Sequence, residues 1–265
     1  MISVNEQVFN RLVRIAESKG VNTPKNILEI LEPYRAKRAI FLAAGFGSRM
    51  MPLTATIPKP LVVVNGVRII DTLIDACLAA DIEEIYIVRG YLAKEFDVLL
   101  EKYPKIRFIE NPDYDKANNI ASAYLARELL QNAYVLEADL VISNPSIIRK
   151  YNYESNVLGI WKEESNDWCL TPDSEGYVIE ETTSGHNSYQ MVGIYYWSEK
   201  DAKLLSGQLK TVYEETPGGK DRYWETVPNQ VYRGTYRIKI VPCEQSDVIE
   251  IDTYDELKAI DSTYK

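Results

Sequence analysis

"FLAAGFGSRMMPLTATIPKPL", Phe41 to Leu61, joins an apolar run to a turn that packing alone does not explain. The run reads as a buried β-strand ending in the small residues Ala43, Ala44 and Gly45. Glycine lets a backbone take conformations closed to other residues and brings its N–H groups close to a ligand. Ser48 and Arg49 follow Gly47 at once, and Lys59 sits between Pro58 and Pro60. Arg49 offers a planar fork of donors for phosphate oxygens, and Lys59 a point charge. The turn is neither a Walker A motif nor G-x-G-x-x-G. It predicts an anion over the turn, against the plainer reading of an ordinary strand-to-helix connection.

Strand–helix alternation runs outward from this turn. "AIFLAA", "EIYIVRGY", "IRFIENP" and "AYVLEADLVI" read as strands, with "RIIDTLIDACLAAD", "LAKEFDVLLEKY" and "NIASAYLARELL" as the helices between them. The pattern predicts parallel βαβ units with ligands at the carboxyl ends of the strands. After about Ile142 it loosens. "VLGIWKEE", "YVIEET", "YQMVGIYYWS" and "YRIKIVPC" read as mixed or antiparallel strands, with "EKDAKLLSGQLKTVYEE" as a helix. Thr253 and Glu256 have the spacing of a capping box for a last helix.

Residues 1–36 differ. Val8, Leu12, Ile15 and Ala16 recur at helical spacing before Gly20. Thr23 reads as the cap and Pro24 as the first residue of a second helix ending at Pro33. The pair resembles part of a helix-turn-helix but lacks a basic recognition face, and it reads as a helical cap. The expected division is a helical extension, 1–36, and an α/β unit, 37–265.

The 265 residues carry a net charge of -9, with 46% hydrophobic and 26% charged residues, so general nucleic-acid binding is not expected. No apolar run approaches the roughly 20 residues of a membrane span, and no signal peptide is read. Cys77, Cys169 and Cys243 form neither a metal-ligand spacing nor a disulfide framework, which suits reduced thiols in a cytoplasmic protein. The single histidine, His186, lies between Gly185 and Asn187 and reads as a surface-loop residue.

Three acids stand out. Asp139 ends a buried strand in "EADL", costly unless paired or metal-bound; the alternative is a cap for the next turn. Glu250 and Asp252 alternate with Ile249 and Ile251, so both carboxylates face one side of an extended segment. Crowded oxygen ligands suit Mg²⁺; the alternative is an acidic edge facing water.

The whole string from Leu42 to Gly66 resembles the signature of the nucleotidyltransferases that join a nucleoside triphosphate to a phosphorylated small molecule, L-A-A-G-x-G-(S/T)-R-(L/M)-x-P-L-T followed by P-K-(P/A)-(L/M). Sugar-1-phosphate members carry Gln-x-Gly-Thr-Ala before the strand that ends in Asp. Here "YDKANNIASAYLA" stands instead, and it resembles the bacterial CTP:phosphocholine cytidylyltransferases, over about residues 38–262.

That resemblance implies a Rossmann-like three-layer α/β/α fold with a mixed, mostly parallel sheet. It implies CTP held by Leu42, Ala43, Ala44, Gly45, Gly47, Ser48, Gly90, Tyr91, Asn118, Asn119 and Ser122, with Arg49 and Lys59 on its phosphates. Asn118 or Asn119 can equally serve as a helix N-cap. The resemblance further implies Mg²⁺ held by Asp139 and Asp252 with Glu250 as helper. Phosphocholine would be the acceptor, its ammonium among Trp168, Asp221, Tyr223 and Trp224 and its phosphate near Lys162, itself otherwise a solvated lysine. Each aromatic face would contribute roughly 0.5–2 kcal/mol. The expected products are CDP-choline and pyrophosphate, formed in line with no general base. Alternatives are 2-aminoethylphosphonate, phosphoethanolamine, an amino-acid phosphate or a sugar-1-phosphate as acceptor, or a non-catalytic nucleotide-sensing module. A homodimer is left open.

Overall fold

The computed structural model describes residues 4–264. Helix α1 (Glu6–Lys19) starts at Asn5, whose side chain accepts the Val8 N–H, and stops at Gly20, where φ is +53°. Phe9, Leu12, Val13 and Ala16 form its inner face, while Val8 is exposed, so the apolar face is turned from the one expected. Helix α2 (Lys25–Leu31) starts one residue later than expected, with Pro24 as its cap. The Thr23 hydroxyl does not cap it, because it donates back to the Ala16 and Gly20 carbonyls. Both helices pack on Tyr151 and Tyr153.

The remaining elements follow in order. They are β1 (Arg38–Ala43), the two-residue strands β2 (Val63–Val64) and β3 (Val67–Arg68), α3 (Ile69–Ala79), β4 (Glu84–Arg89) and α4 (Leu99–Lys102). Next come β5 (Arg107–Glu110), α5 (Ile120–Ala126), β6 (Ala133–Glu137), β7 (Leu140–Ile142) and β8 (Asn156–Ser165). The chain then forms β9 (Cys169–Pro172), β10 (Val178–Thr182), β11 (Gly185–Trp197), α6 (Glu199–Glu215), β12 (Lys239–Cys243), β13 (Val248–Glu250) and α7 (Tyr254–Ile260).

The fold is Rossmann-like, with a mixed sheet that is parallel through its centre. There β5, β4, β1 and β6 run parallel, and β11 joins β6 antiparallel. β8 pairs with β11 antiparallel and with β12 in parallel. Burial explains the three layers. Ala39, Phe41 and Ala43 of β1 enter the core shared with α3, while Ile40 and Leu42 enter the core shared with α5 and α6. A strand buried on both faces needs a continuous apolar run, as this one has. The chain leaves β1 for β4 on one side and returns to β6 on the other, which opens a crevice at the carboxyl end of β1.

Two expectations change. The helix expected from Leu92 is mostly a 3₁₀ helix, Ala93–Val98, before the single turn of α4. Its buried anchors, Phe96 and Leu99, stand three apart, the spacing that eclipses in a 3₁₀ helix. The run "AYVLEADLVI" is two strands, because β7 leaves the main sheet to pair antiparallel with β13. His186 is exposed, but on β11 rather than in a loop. The three cysteines are free and buried. The Thr253–Glu256 capping box forms on α7 as expected.

Candidate active site

The crevice at β1 is a cavity of about 570 Å³. Leu42, Ala43, Ala44, Gly45, Gly47, Ser48, Arg49 and Lys59 line it, with Asn118, Asn119, Ser122, Asp139 and Asp252. Gly47 needs its freedom: φ is +60°, and a Cβ there would lie 3.0 Å from Lys59 Cβ and 3.1 Å from Thr54 Cγ2. Gly45 instead faces open space, so its smallness keeps the cavity clear. Gly90 and Tyr91 do not line the cavity. A Cβ at Gly90 would meet Tyr114 Cβ at 2.5 Å, and the Tyr91 N–H and hydroxyl donate to the Ala44 and Thr54 carbonyls. They brace the turn. Phe46, Asn111, Tyr114, Asp115 and Lys116 also line the cavity, and the sequence does not single them out. Of these, Asn111 carries a usable signal, since it follows β5 in "ENP"; its amide donates to Ser122 Oγ at 3.0 Å.

Charge gathers on the side of the cavity lined by Lys59, Asp139 and Asp252. The β7–β13 ladder sets Glu250 opposite Leu140, and the Ile251 N–H donates to the Asp139 carbonyl. Distant acids therefore converge: oxygens of Asp139, Glu250 and Asp252 lie within 4.8 Å of one another. Lys59 Nζ donates to Asp139 Oδ2 at 2.7 Å and to Asp252 Oδ1 at 2.8 Å, and Arg49 reaches Asp252 Oδ1 at 2.7 Å. Lys59 is 8% exposed. Burial opposes its charge, but Asp139 and Asp252 outweigh burial and raise its pKa. Partial desolvation, then the charges of Asp139 and Asp252, raise the Glu250 pKa, although the residue is solvent-exposed. The other oxygen of Asp139, Oδ1, is buried with no hydrogen-bond partner. An oxygen-only set with a free buried lone pair fits a hard divalent cation.

A second cavity, about 230 Å³, shares Arg49, Asn119, Glu137, Asp139 and Asp252 with the first. Trp168 and Tyr223 line it, ring centroids 5.6 Å apart, together with Glu137, Asp167, Glu181, Glu225 and Glu250. Sequence reasoning misses Glu137, Glu181 and Glu225, although Glu137 precedes Asp139 by two residues and Glu225 follows Trp224 directly. Burial, and at Glu137 the charges of Glu225 and Asp139 as well, pushes the carboxyls of Glu137 and Glu225 above their usual range.

Three expected acceptor residues are placed differently. Asp221 lines the first cavity. Lys162 lines neither, because its Nζ is held by Gln245 Oε1 at 2.9 Å. Trp224 is 1% exposed and packs edge-on against Tyr195 at 5.0 Å, while its backbone N–H donates to Asn119. Trp224 is core, so Trp224→Ala should cost about 3–5 kcal/mol of stability. Thermal unfolding checks this; an unchanged midpoint would return the residue to the site.

The nucleotidyl transferase family model matches residues 38–248. The 2-aminoethylphosphonate cytidylyltransferase of Lancefieldella rimae is 38% identical over 229 residues, 85% of this chain and 92% of that protein. The choline-phosphate cytidylyltransferase of Haemophilus influenzae is 29% identical over 219 residues, 82% of this chain and 93% of that protein. Among solved structures, the CTP:phosphocholine cytidylyltransferase of Streptococcus pneumoniae is similar with a TM-score of 0.78 and 28% identity, covering 87% of this chain and 100% of that chain.

Proposed function

Because the chain belongs to the nucleotidyl transferase family, we propose that it is a cytidylyltransferase joining CTP to a small phosphate or phosphonate that carries a cationic amine, with release of pyrophosphate. The observation that carries this reading is the meeting of two cavities at Asp139 and Asp252. One is walled by a glycine turn and cations, the other by acids and two aromatic rings. Phosphocholine and 2-aminoethylphosphonate, the acceptors named for the relatives, both meet the description. The Trp168–Tyr223 pair and the acids around it suit a cationic amine.

The turn offers backbone N–H groups to the triphosphate, and Arg49 and Lys59 draw its charge toward Asp139 and Asp252. Those two acids, with Glu250, would hold Mg²⁺, which when bound neutralises charge developing on the phosphates. The acceptor oxygen is already anionic, so no residue has to remove a proton. His186 lines neither cavity, in keeping with this. Catalysis then rests on positioning and charge. Among the described residues, 4–36 line neither cavity, and the segment 1–36 serves as an extension to the catalytic unit at 37–265.

Pyrophosphate release from CTP, UTP and dTTP with a panel of aminoalkyl and sugar phosphates tests the reading. Turnover of CTP with an aminoalkyl acceptor is expected. A preference for sugar-1-phosphates would overturn it, and CTP binding without turnover of any acceptor would favour a sensing module. Trp168→Ala should raise the acceptor KM about three- to thirtyfold and leave the CTP KM nearly unchanged. Equal changes in both would assign Trp168 a structural role.

A further inference from the structure

We propose that Glu137 and Glu225, positioned by Asn119, read the acceptor's amino group and select a primary ammonium over a trimethylated one. This rests on the function proposed above and narrows its acceptor. The acids lining the second cavity differ in their partners. Arg49 and Lys59 pair with Asp139 and Asp252. Among the described residues, no lysine or arginine forms an ion pair with Glu137, Glu181 or Glu225. Glu181 is already engaged, since the Asn229 and Gln230 amides donate to its two oxygens. Among the described residues, Glu137 and Glu225 share one side-chain donor, Asn119 Nδ2, at 3.1 Å and 3.4 Å.

The orientation of Asn119 is fixed. Its Oδ1 accepts the Trp224 N–H at 2.8 Å, so its NH₂ group must face the acids. Glu225 is only 5% exposed, yet it lines the cavity, so its carboxylate is presented to whatever enters rather than to bulk water.

The cavity wall supplies an independent observation. The pairing of β11 with β8 slips between Met191 and Tyr195, and Met191, Val192 and Gly193 line the cavity at that bulge. Gly193 has φ +77°, and a Cβ there would stand 2.9 Å from Glu137 Cγ. A bulge inside a long strand gives up ladder hydrogen bonds, and bulges of this kind re-aim the residues beside a site. Here it makes room for the Glu137 side chain.

The chemistry of the two cations decides between them. A primary ammonium brings three N–H donors, which the carboxyl oxygens of Glu137 and Glu225 can accept. A trimethylammonium brings none, and it would strip water from both acids without replacing the lost hydrogen bonds. Trp168 and Tyr223, whose planes cross at 66°, offer ring faces to either cation, so the discrimination rests with the acids.

The test compares CTP-dependent pyrophosphate release with 2-aminoethylphosphonate and with its N,N,N-trimethyl analogue, which differ only at nitrogen. The wild-type protein should prefer the primary amine in kcat/KM by about tenfold or more. Glu225→Gln and Glu137→Gln should each erase about tenfold of that preference through the acceptor KM, and Glu225→Gln, which lies outside the first cavity, should hold the CTP KM within about twofold. Thermal unfolding and calorimetric CTP binding report whether each variant is folded. Preference retained in both variants, or equal losses with both acceptors, overturns the proposal and leaves the cytidylyltransferase reading standing. Wild-type preference for the trimethyl compound also overturns it. Turnover of neither compound overturns both.

Discussion

Asp139→Asn is expected to lower turnover by about 10³-fold or more while the fold stays intact. The amide keeps an oxygen that can accept from Lys59, and Asp252 still pairs with that lysine, so the local packing survives. What disappears is the charge of the one carboxylate in the cluster that has a buried oxygen without a partner. A loss of about 4 kcal/mol of charge stabilisation in the transition state corresponds to the stated fall in rate. Two measurements check it: pyrophosphate release, and titration of Mn²⁺ as a reporter of divalent binding. Turnover and Mn²⁺ affinity both like the wild type's would remove Asp139 from the metal's ligand set.

Lys59→Met is expected to cost about 10²–10³-fold in turnover and to raise the CTP KM. Lys59 bridges Asp139 and Asp252, and without it these acids face each other with Arg49 as the remaining cation. The variant should therefore melt lower than the wild type, and added Mg²⁺ should recover part of the loss. An unchanged midpoint together with an unchanged CTP KM would contradict both roles. The pH dependence has a definite sign. The folded pKa of Lys59 is raised, so its stabilisation is fully present below the ordinary lysine value and is lost only as pH climbs through the raised one. Between about pH 6 and 9 the titration of this lysine should therefore contribute no pH dependence to the melting midpoint.

Local chemistry was legible in the sequence. The glycine turn, the Thr253 capping box and the ends of α6 at Glu199 and Glu215 each depend on a few neighbouring residues. Placement that depends on partners far along the chain was not. Nothing in "AYVLEADLVI" shows that its second half pairs with residues 248–250. Glu225 meets Asn119 across 106 positions, so no spacing rule could join them. Trp168 and Trp224 each sit beside an acid or another aromatic in the sequence, yet one lines a cavity and the other is core. Burial separated them, and burial is a property of the whole fold. The roles of the site residues rest on the substitutions described above.

The β7–β13 ladder also bears on how the protein is made. Two of the three clustered carboxylates arrive on the segment after Val248, laid against residues 140–142. A ribosome that stalled before that point would release a product with the glycine turn and β1 to β12, but with neither Glu250 nor Asp252. Such a fragment could not bring Asp139, Glu250 and Asp252 together. The acidic cluster exists only in chains translated through Asp252.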